Sequence, residues 1–421
     1  VNESIPGDAA ARRAVEAAWR IEWPRLVAGL TRIVGDIGTA EELAQDALVA
    51  ALEQWPREGV PPNPGGWLML TAKHRGIDRI RRHGTLDRKL AVLGHDLVID
   101  QRTPPEQPPQ DDLLRMMFTA CHPVLSRPAQ VALTLRMIGG LTTDEIARAY
   151  LVSESTVAQR IVRAKRTIAA KRVPYEVPSG PELAVRLDAV LEVLYLIFNE
   201  GYTATAGAAW TRAELCEDAV RLARILAGLL PREPEVHGLA ALLELQASRL
   251  RARGGPGEQP VLLADQDRSR WSRLYIRRGF AALGRARSLD TAQGRLPGRY
   301  TLQAAIAAAH AMAPTAAETD WRRIAGLYAV LAERFPSPVV ELNRAVAVSM
   351  VHGPAAGLEV VDVLAKSGTL DGYHLLHAVR ADLLTRLGRT EEARAEFATA
   401  AELTANAAER ALLLGRAGIG G

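Results

Sequence analysis

Residues 141–172 constrain this chain more than any other stretch. They read LTTDEIARAYLVSESTVAQRIVRAKRTIAAKR. Thr143 stands where a helix N-cap belongs, ahead of Ile146, Ala147 and Tyr150. Leu151-Val152-Ser153 makes a turn, and Ser153 or Ser155 is available to cap the helix that follows. Val157, Ile161, Ala164 and Ile168 then recur at helical spacing and form one apolar stripe, while Gln159, Arg163 and Arg166 share another side. Between Ser155 and Val173 lie Arg160, Arg163, Lys165, Arg166, Lys171 and Arg172, and no acidic residue. A short turn feeding a helix with one apolar stripe and an otherwise basic surface suits the major groove of DNA. A plain core helix with a solvated basic face would need turn spacing and charge asymmetry to coincide by accident.

The rest of the chain is compatible with an all-α protein. Aromatics are only 5% of 421 residues, and Ala, Leu and Arg dominate, which favours helices over sheets. That length allows roughly two to four domains. The net charge of +4 says little, but its distribution says more. Between Trp67 and Leu90 stand Lys73, Arg75, Arg79, Arg81, Arg82, Arg88 and Lys89 against Asp78 and Asp87. Basic charge thus gathers in two short segments, as in a nucleic-acid footprint. Cys121 and Cys216 suggest buried thiols, with neither a disulfide framework nor a zinc cluster, so no metal and no cofactor are expected. No signal peptide is visible. The longest apolar run, Ala189 to Phe198, contains Glu192 and is too short to span a bilayer, so a cytoplasmic location off the membrane is expected.

Punctuation divides the chain. Residues 9–90 read as helices: one broken at Pro24, one from Arg25 to Val34, one opening at Thr39 and ending at Trp55, and one from Gly66 to about Arg82. Pro56 to Gly65 reads as a loop. Residues 91–112 carry four prolines with Asp96, Asp100, Glu106, Asp111 and Asp112, and read as an extended acidic linker. Residues 113–173 form a second helical unit ending in the helix-turn-helix. After Pro174–Pro181, residues 182–421 read as a longer helical region. Near its end, Gly353 and Gly388 are 35 residues apart, and Ala381, Ala393, Phe397 and Ala400 have the spacing of a tetratricopeptide helix pair. This predicts a helical solenoid over the last pairs, with an irregular helical domain as the rival for residues 182–300.

These segments, in this order, resemble the extracytoplasmic-function group of bacterial RNA polymerase sigma factors. Ala40-Glu41-Glu42-Leu43-Ala44-Gln45-Asp46 with Trp55 resembles the core-polymerase-binding helix. Trp67-Leu68, Ala72, Ile77-Asp78 and Arg81-Arg82 resemble the helix that opens and reads the −10 element, and Leu141 to Lys165 the module that reads the −35 element. LYLIFNEGYTA from Leu194, LQAAIAAAHA from Leu302, TDWRRIAGLY from Thr319 and SPVVELNRAVAV from Ser337 resemble the C-terminal extension of one subgroup. His74 and Ala158 depart from the wider group, where Asn and Arg or Lys are common, so that group's base preferences do not carry over.

The resemblance implies a factor that does no covalent chemistry: core RNA polymerase and promoter DNA, duplex at −35 and melted at −10, are its expected partners. Glu42, Asp46 and Glu53 form an acidic ridge opposite Leu43, Ala47, Leu48 and Leu52, suited to a basic clamp surface. Trp67 offers a stacking face, with simple core packing as its rival. Lys73, His74 and Arg75 can follow a displaced strand, while Arg81 and Arg82 grip the duplex edge. At −35 the implied contact set is Ser155, Thr156, Ala158, Gln159, Arg160, Val162, Arg163, Lys165 and Arg166. Gln159 can pair with adenine and Arg163 with guanine, and Arg160, Lys165 and Arg166 suit phosphates. The extension reads as regulatory, binding a peptide, a partner protein or the sigma domains. Read as an enzyme instead, it offers only His310, His374 and His377, none in a nucleophile or metal motif. Two other classes compete: a helix-turn-helix regulator with a solenoid sensor that does not replace the sigma factor, and a tetratricopeptide scaffold.

Overall fold

The computed structural model describes residues 22–83, 110–254 and 259–419, with side chains at 76–83 and 110–111 left undescribed. The expected acids at Asp96, Asp100 and Glu106, and the basic Arg88 and Lys89, lie outside the described residues, and the side chains of Arg79, Arg81, Arg82 and Asp111 do as well. Two compact units meet in sequence inside one helix: residues 1–193 and residues 194–421.

In the first unit, α1 covers residues 22–34 and α2 runs Ile37–Glu58. The described part of α1 is helical from residue 22 across Pro24, while the helix expected ahead of it lies largely outside the described residues. α2 continues through Pro56 to Glu58, with Gly59 as its cap, so Pro56 does not break it. A proline removes one amide donor, yet its fixed φ is helical, and each cost is local here. Asp36 rather than Thr39 caps α2, its carboxylate accepting from the Thr39 amide at 2.7 Å. α3 is Pro64–His83 and α4 is Gln110–Ala120. Asp112, expected in the linker, belongs to α4 and is fully buried, paired with Arg32 and Arg115 at 2.9 Å each. α5 is Arg127–Thr134, followed directly by a π-helical turn at Leu135–Gly139. α6 (Thr143–Tyr150) and α7 (Glu154–Ala170) are the helix-turn-helix. The first half of α8 (Gly180–Tyr202) also belongs to this unit: Arg186, 7% exposed, donates to the Phe118 carbonyl at 2.8 Å.

The second unit adds α9 (Ala213–Leu229), α10 (Pro234–Ala247), the single turn α11 (Leu250–Arg253), α12 (Arg273–Ala292), α13 (Arg299–Met312) and α14 (Trp321–Arg334). Then come α15 (Pro338–His352), α16 (Pro354–Ser367), α17 (His374–Arg386), α18 (Thr390–Leu403) and α19 (Ala407–Ala417). From α14 onward each helix packs on the next. Leu342, Leu358, Val361, Leu376 and Leu384 fill one such seam, and Ala381, Phe397, Ala400 and Leu413 the next. The unit is more than a row, because its far end returns to its beginning. Strand β1 (Ala206–Gly207) pairs in parallel with β2 (Ala405–Asn406). Asn406 is fully buried there and donates to the carbonyls of Ala204 and Ala209 at 3.0 and 2.9 Å.

Candidate functional site

Along α2, Ile37, Glu41, Ala44, Leu48, Ala51 and Trp55 recur every three or four residues and are all buried. The outward side carries Glu42, exposed Glu53 and half-buried Asp46, as expected. Leu52 does not join the buried stripe: it is 47% exposed, and Val49 is 48% exposed. The acidic ridge therefore holds two apolar side chains of its own, a mixture that suits a protein partner better than water alone does.

On α3, Leu68 and Ala72 are buried and hold the helix down. Trp67 is half-buried, its ring edge-on to Trp55 at 5.5 Å. It is thus anchored on one side and open on the other, between the two expected roles. His74 is exposed, and Lys73 and Arg75 are half-buried beside it.

The helix-turn-helix forms as its sequence predicts, with one shift at the first cap. Thr142, not Thr143, is the N-cap of α6, in a reciprocal box with Glu145: the Glu145 amide donates to Thr142 Oγ1 at 3.1 Å, and the Thr142 amide to Glu145 Oε2 at 2.7 Å. Leu151 ends α6 in the left-handed region at φ 50°, and Ser153 caps α7, accepting from the Thr156 amide. Val157, Ile161, Ala164 and Ile168 are all buried. Burying a Val or Ile side chain contributes about 1.5–3 kcal/mol, so this stripe fixes the rotation of α7. Ser155, Thr156, Gln159, Val162, Arg163 and Arg166 are consequently exposed, and Ala158, Arg160 and Lys165 are half-buried. The exposed residues do not form one surface. Thr156, Gln159, Arg160 and Arg163 border a groove beside Ser126 and Ala129. Val162, Lys165 and Arg166 instead line a cleft opposite Asp36, Glu41 and Glu42 of α2.

Glu41 closes that cleft; the sequence puts it in the segment resembling the polymerase-binding helix but not on its acidic ridge. It is 6% exposed and accepts from Arg136 Nε at 2.8 Å and from Lys165 Nζ. The Arg136 carbonyl accepts from Trp23 Nε1 at 3.1 Å, and its guanidinium lies 5.3 Å from that ring. The Tyr175 hydroxyl lies 2.9 Å from the carbonyls of Ala28 and Asp112, and burial pushes its pKa far up. A carboxylate at the expected polymerase-binding helix is therefore shared with a lysine of the expected DNA-binding helix. The signal was available: Glu41 falls in phase with an apolar stripe, and a carboxylate there requires a buried cation.

The histidines considered as a catalytic set are each engaged with other partners. His374 pairs with Glu409 at 3.1 Å and His377 with Glu396 at 2.7 Å, while His310 is buried edge-on to Trp321. Burial raises the thiols of Cys121 and Cys216 to about 11 and about 12, so neither is a poised nucleophile. Among the described residues no cluster of His, Cys, Asp or Glu could hold a metal ion, and no helix is long and apolar enough to cross a membrane.

Comparison with known proteins bears on this geometry. Residues 22–85 match Sigma-70 region 2, residues 115–168 match Sigma-70 region 4, and residues 186–287 match a family of unknown function, DUF6596. An uncharacterised protein of Rhizobium meliloti (strain 1021) is 43% identical over 398 residues, 93% of this chain and 92% of that one. A protein described as "probable ECF RNA polymerase sigma factor SigI", from Mycobacterium tuberculosis, is 29% identical over 195 residues, 43% of this chain and 67% of its own length. No solved structure matches. Both sigma regions stand in order ahead of a helical extension, and the factors built from them act on core RNA polymerase and promoter DNA without covalent chemistry; the chain belongs to the extracytoplasmic-function sigma factors, as an alternative sigma factor with a C-terminal helical extension.

Proposed function

We propose a division of labour among the named side chains. Glu42, Asp46 and Glu53, with Val49 and Leu52 between them, dock on a basic and partly apolar surface of core polymerase. Trp67 stacks a base of the melted −10 element on its open face, and Lys73, His74 and Arg75 follow the strand, with Arg81 and Arg82 at the duplex edge. Gln159 and Arg163 read bases at −35, aided by Ser155, Thr156 and Ala158, and Arg160 meets phosphate. Val162, Lys165 and Arg166 join them only after the cleft opposite α2 has opened. The helical extension sets when this happens, and the chain works in the cytoplasm, where polymerase and promoters are.

The observation that carries this reading is the two-sided character of α2. Its buried stripe is complete without Val49 and Leu52, so their exposure beside the acids serves something outside the unit. Purified full chain mixed with core polymerase should start transcription at one mapped site. If the chain binds duplex DNA but starts nothing with core, it is a helix-turn-helix regulator that leaves the sigma factor in place.

A further inference from the structure

Three arginines of the second unit form no salt bridge with any described carboxylate, although Glu318 bears on Arg268 and Arg253 on Glu409 at longer range. Arg249 and Arg253 are 7% and 8% exposed, and Arg268 is half-buried. Their guanidinium groups rest on shared aromatic walls. Arg253 lies 3.7 Å from the Tyr202 ring centre and 5.2 Å from that of Trp210. Arg249 lies 5.8 Å from Tyr202 and 5.7 Å from Trp271, and Arg268 lies 4.9 Å from Trp271. Among the described residues Arg253 donates to the Tyr202 carbonyl and the Thr203 hydroxyl. Among the described residues Arg268 donates to the carbonyls of His310 and Ala313 and to the Thr319 hydroxyl. Arg249 donates to no described residue, and its buried Nε has no partner.

The unmet donors are concentrated here. Nε of Arg249, Arg253 and Arg268, and the indole Nε1 of Trp210 and Trp271, are all buried without an acceptor. Buried polar atoms are nearly always paired, so five unmet donors around three rings mark a place prepared for acceptors that no described residue supplies. Charge adds to the argument. A buried lysine can shed its proton, but a guanidinium cannot, so its charge must be met by an anion. Cation–π contact returns less than an unpaired buried ion costs. His310 fits the same picture: burial with Arg249 and Arg268 nearby holds its ring neutral, its pKa lowered to about 3.

We propose that Arg249, with Arg253, Arg268 and the indoles of Trp210 and Trp271, forms a binding site for a small oxyanion whose flat, apolar body stacks on the aromatic walls. The burial of Arg249 and Arg253 excludes a folded partner and selects a small molecule. The fork of a guanidinium matches two oxygens of a carboxylate or of a phosphate ester, which share this chemistry. The site lies in the extension and owes nothing to the sigma-factor reading, so binding is measured without transcription.

The test uses the full chain, with sodium benzoate and sodium phosphate as probes and sodium chloride at equal ionic strength as the reference. A saturable change in tryptophan fluorescence and a rise in Tm are expected with at least one oxyanion, where chloride gives neither. Benzoate acting alone assigns a carboxylate, and phosphate acting alone assigns a phosphate ester. Arg249→Met, which keeps volume and removes the charge, should raise the ligand-free Tm and abolish the response. Arg249→Lys keeps the charge but loses the fork, and should weaken the response at least tenfold, so the proposal stays testable if the methionine variant does not fold. A response to neither oxyanion beyond chloride, or an unchanged response in both variants, overturns the site and leaves the arginines as stacked structural cations.

Discussion

At Glu41 one carboxylate holds two cations from different helices, and a single change there separates stability from DNA access. Glu41→Gln keeps the shape and removes the charge. Arg136, 8% exposed, then loses this carboxylate, and weakening a buried pair this way costs up to about 3–5 kcal/mol. Denaturant melts of the full chain should show that loss, while fluorescence anisotropy should show tighter, more salt-sensitive binding to duplex DNA, because Lys165 is released. Unchanged DNA binding would mean that the Lys165 pair does not restrain the helix. Arg163 is exposed on the other side of α7 and should behave differently. Arg163→Ala should cost about 1–3 kcal/mol of discrimination at one base position across a promoter panel. An even loss across the panel would make it a phosphate contact. A third residue couples stability to pH. His310 is held neutral with its pKa lowered to about 3, whereas the unfolded ring titrates near its ordinary value. Between roughly pH 3 and 6.5 the unfolded chain therefore binds the extra proton, and stability falls as pH drops through that window, by up to about 1.4 kcal/mol per unit. Above it the contribution is constant. His310→Gln should flatten this part of the stability–pH curve; the same slope in both proteins would place the titration elsewhere.

Among the elements, what could be read in advance was whatever is periodic and local. The stripe of Val157, Ile161, Ala164 and Ile168 names the buried side of α7 from spacing alone, and burial follows it. The α6 cap shifted by one residue, because Thr142 and Thr143 are adjacent hydroxyls and only the reciprocal bond with Glu145 decides between them. Leu52 was misread because a helix offers Leu48 and Leu52 at the same spacing, and only the packing partner tells which is covered. The Glu41 pair and the 406–204 closure were illegible for a different reason: each joins residues more than ninety positions apart, and no periodicity records a partner's address. The ridge of α2 remains the element to test. Asp46→Arg reverses its charge without touching the buried stripe, so helical content and Tm should hold while co-purification with core polymerase falls. Full recovery of the variant with polymerase would move the contact off this face.

For the whole molecule, the informative experiment depends on where the extension begins. Punctuation at Pro174–Pro181 invites a cut after residue 181, but the first half of α8 belongs to the sigma unit. Leu187, Val190 and Val193 are buried, and Arg186 satisfies the Phe118 carbonyl. A chain ending at 181 would expose that apolar seat and leave a buried carbonyl unpaired, which together cost several times the roughly 1–3 kcal/mol of the unmet bond alone. Its inactivity would say nothing about regulation. A chain ending at Val193 keeps those contacts and removes the second unit. It should melt cooperatively and remain soluble where the shorter one does not, and its output at a mapped promoter, at matched protein level, then reports on the extension itself. Loss of output is expected, because the second unit is large and its ends are bound to each other by the β1–β2 pair, as befits a part that acts as one body. A cut after Arg386 tests that closure: it removes β2 and Asn406, leaving the Ala204 and Ala209 carbonyls without their donor, and should impair output by loosening the unit from its other end. Output equal to that of the full chain from the Val193 protein would show the extension dispensable, and output well above it would make the extension a fused inhibitor.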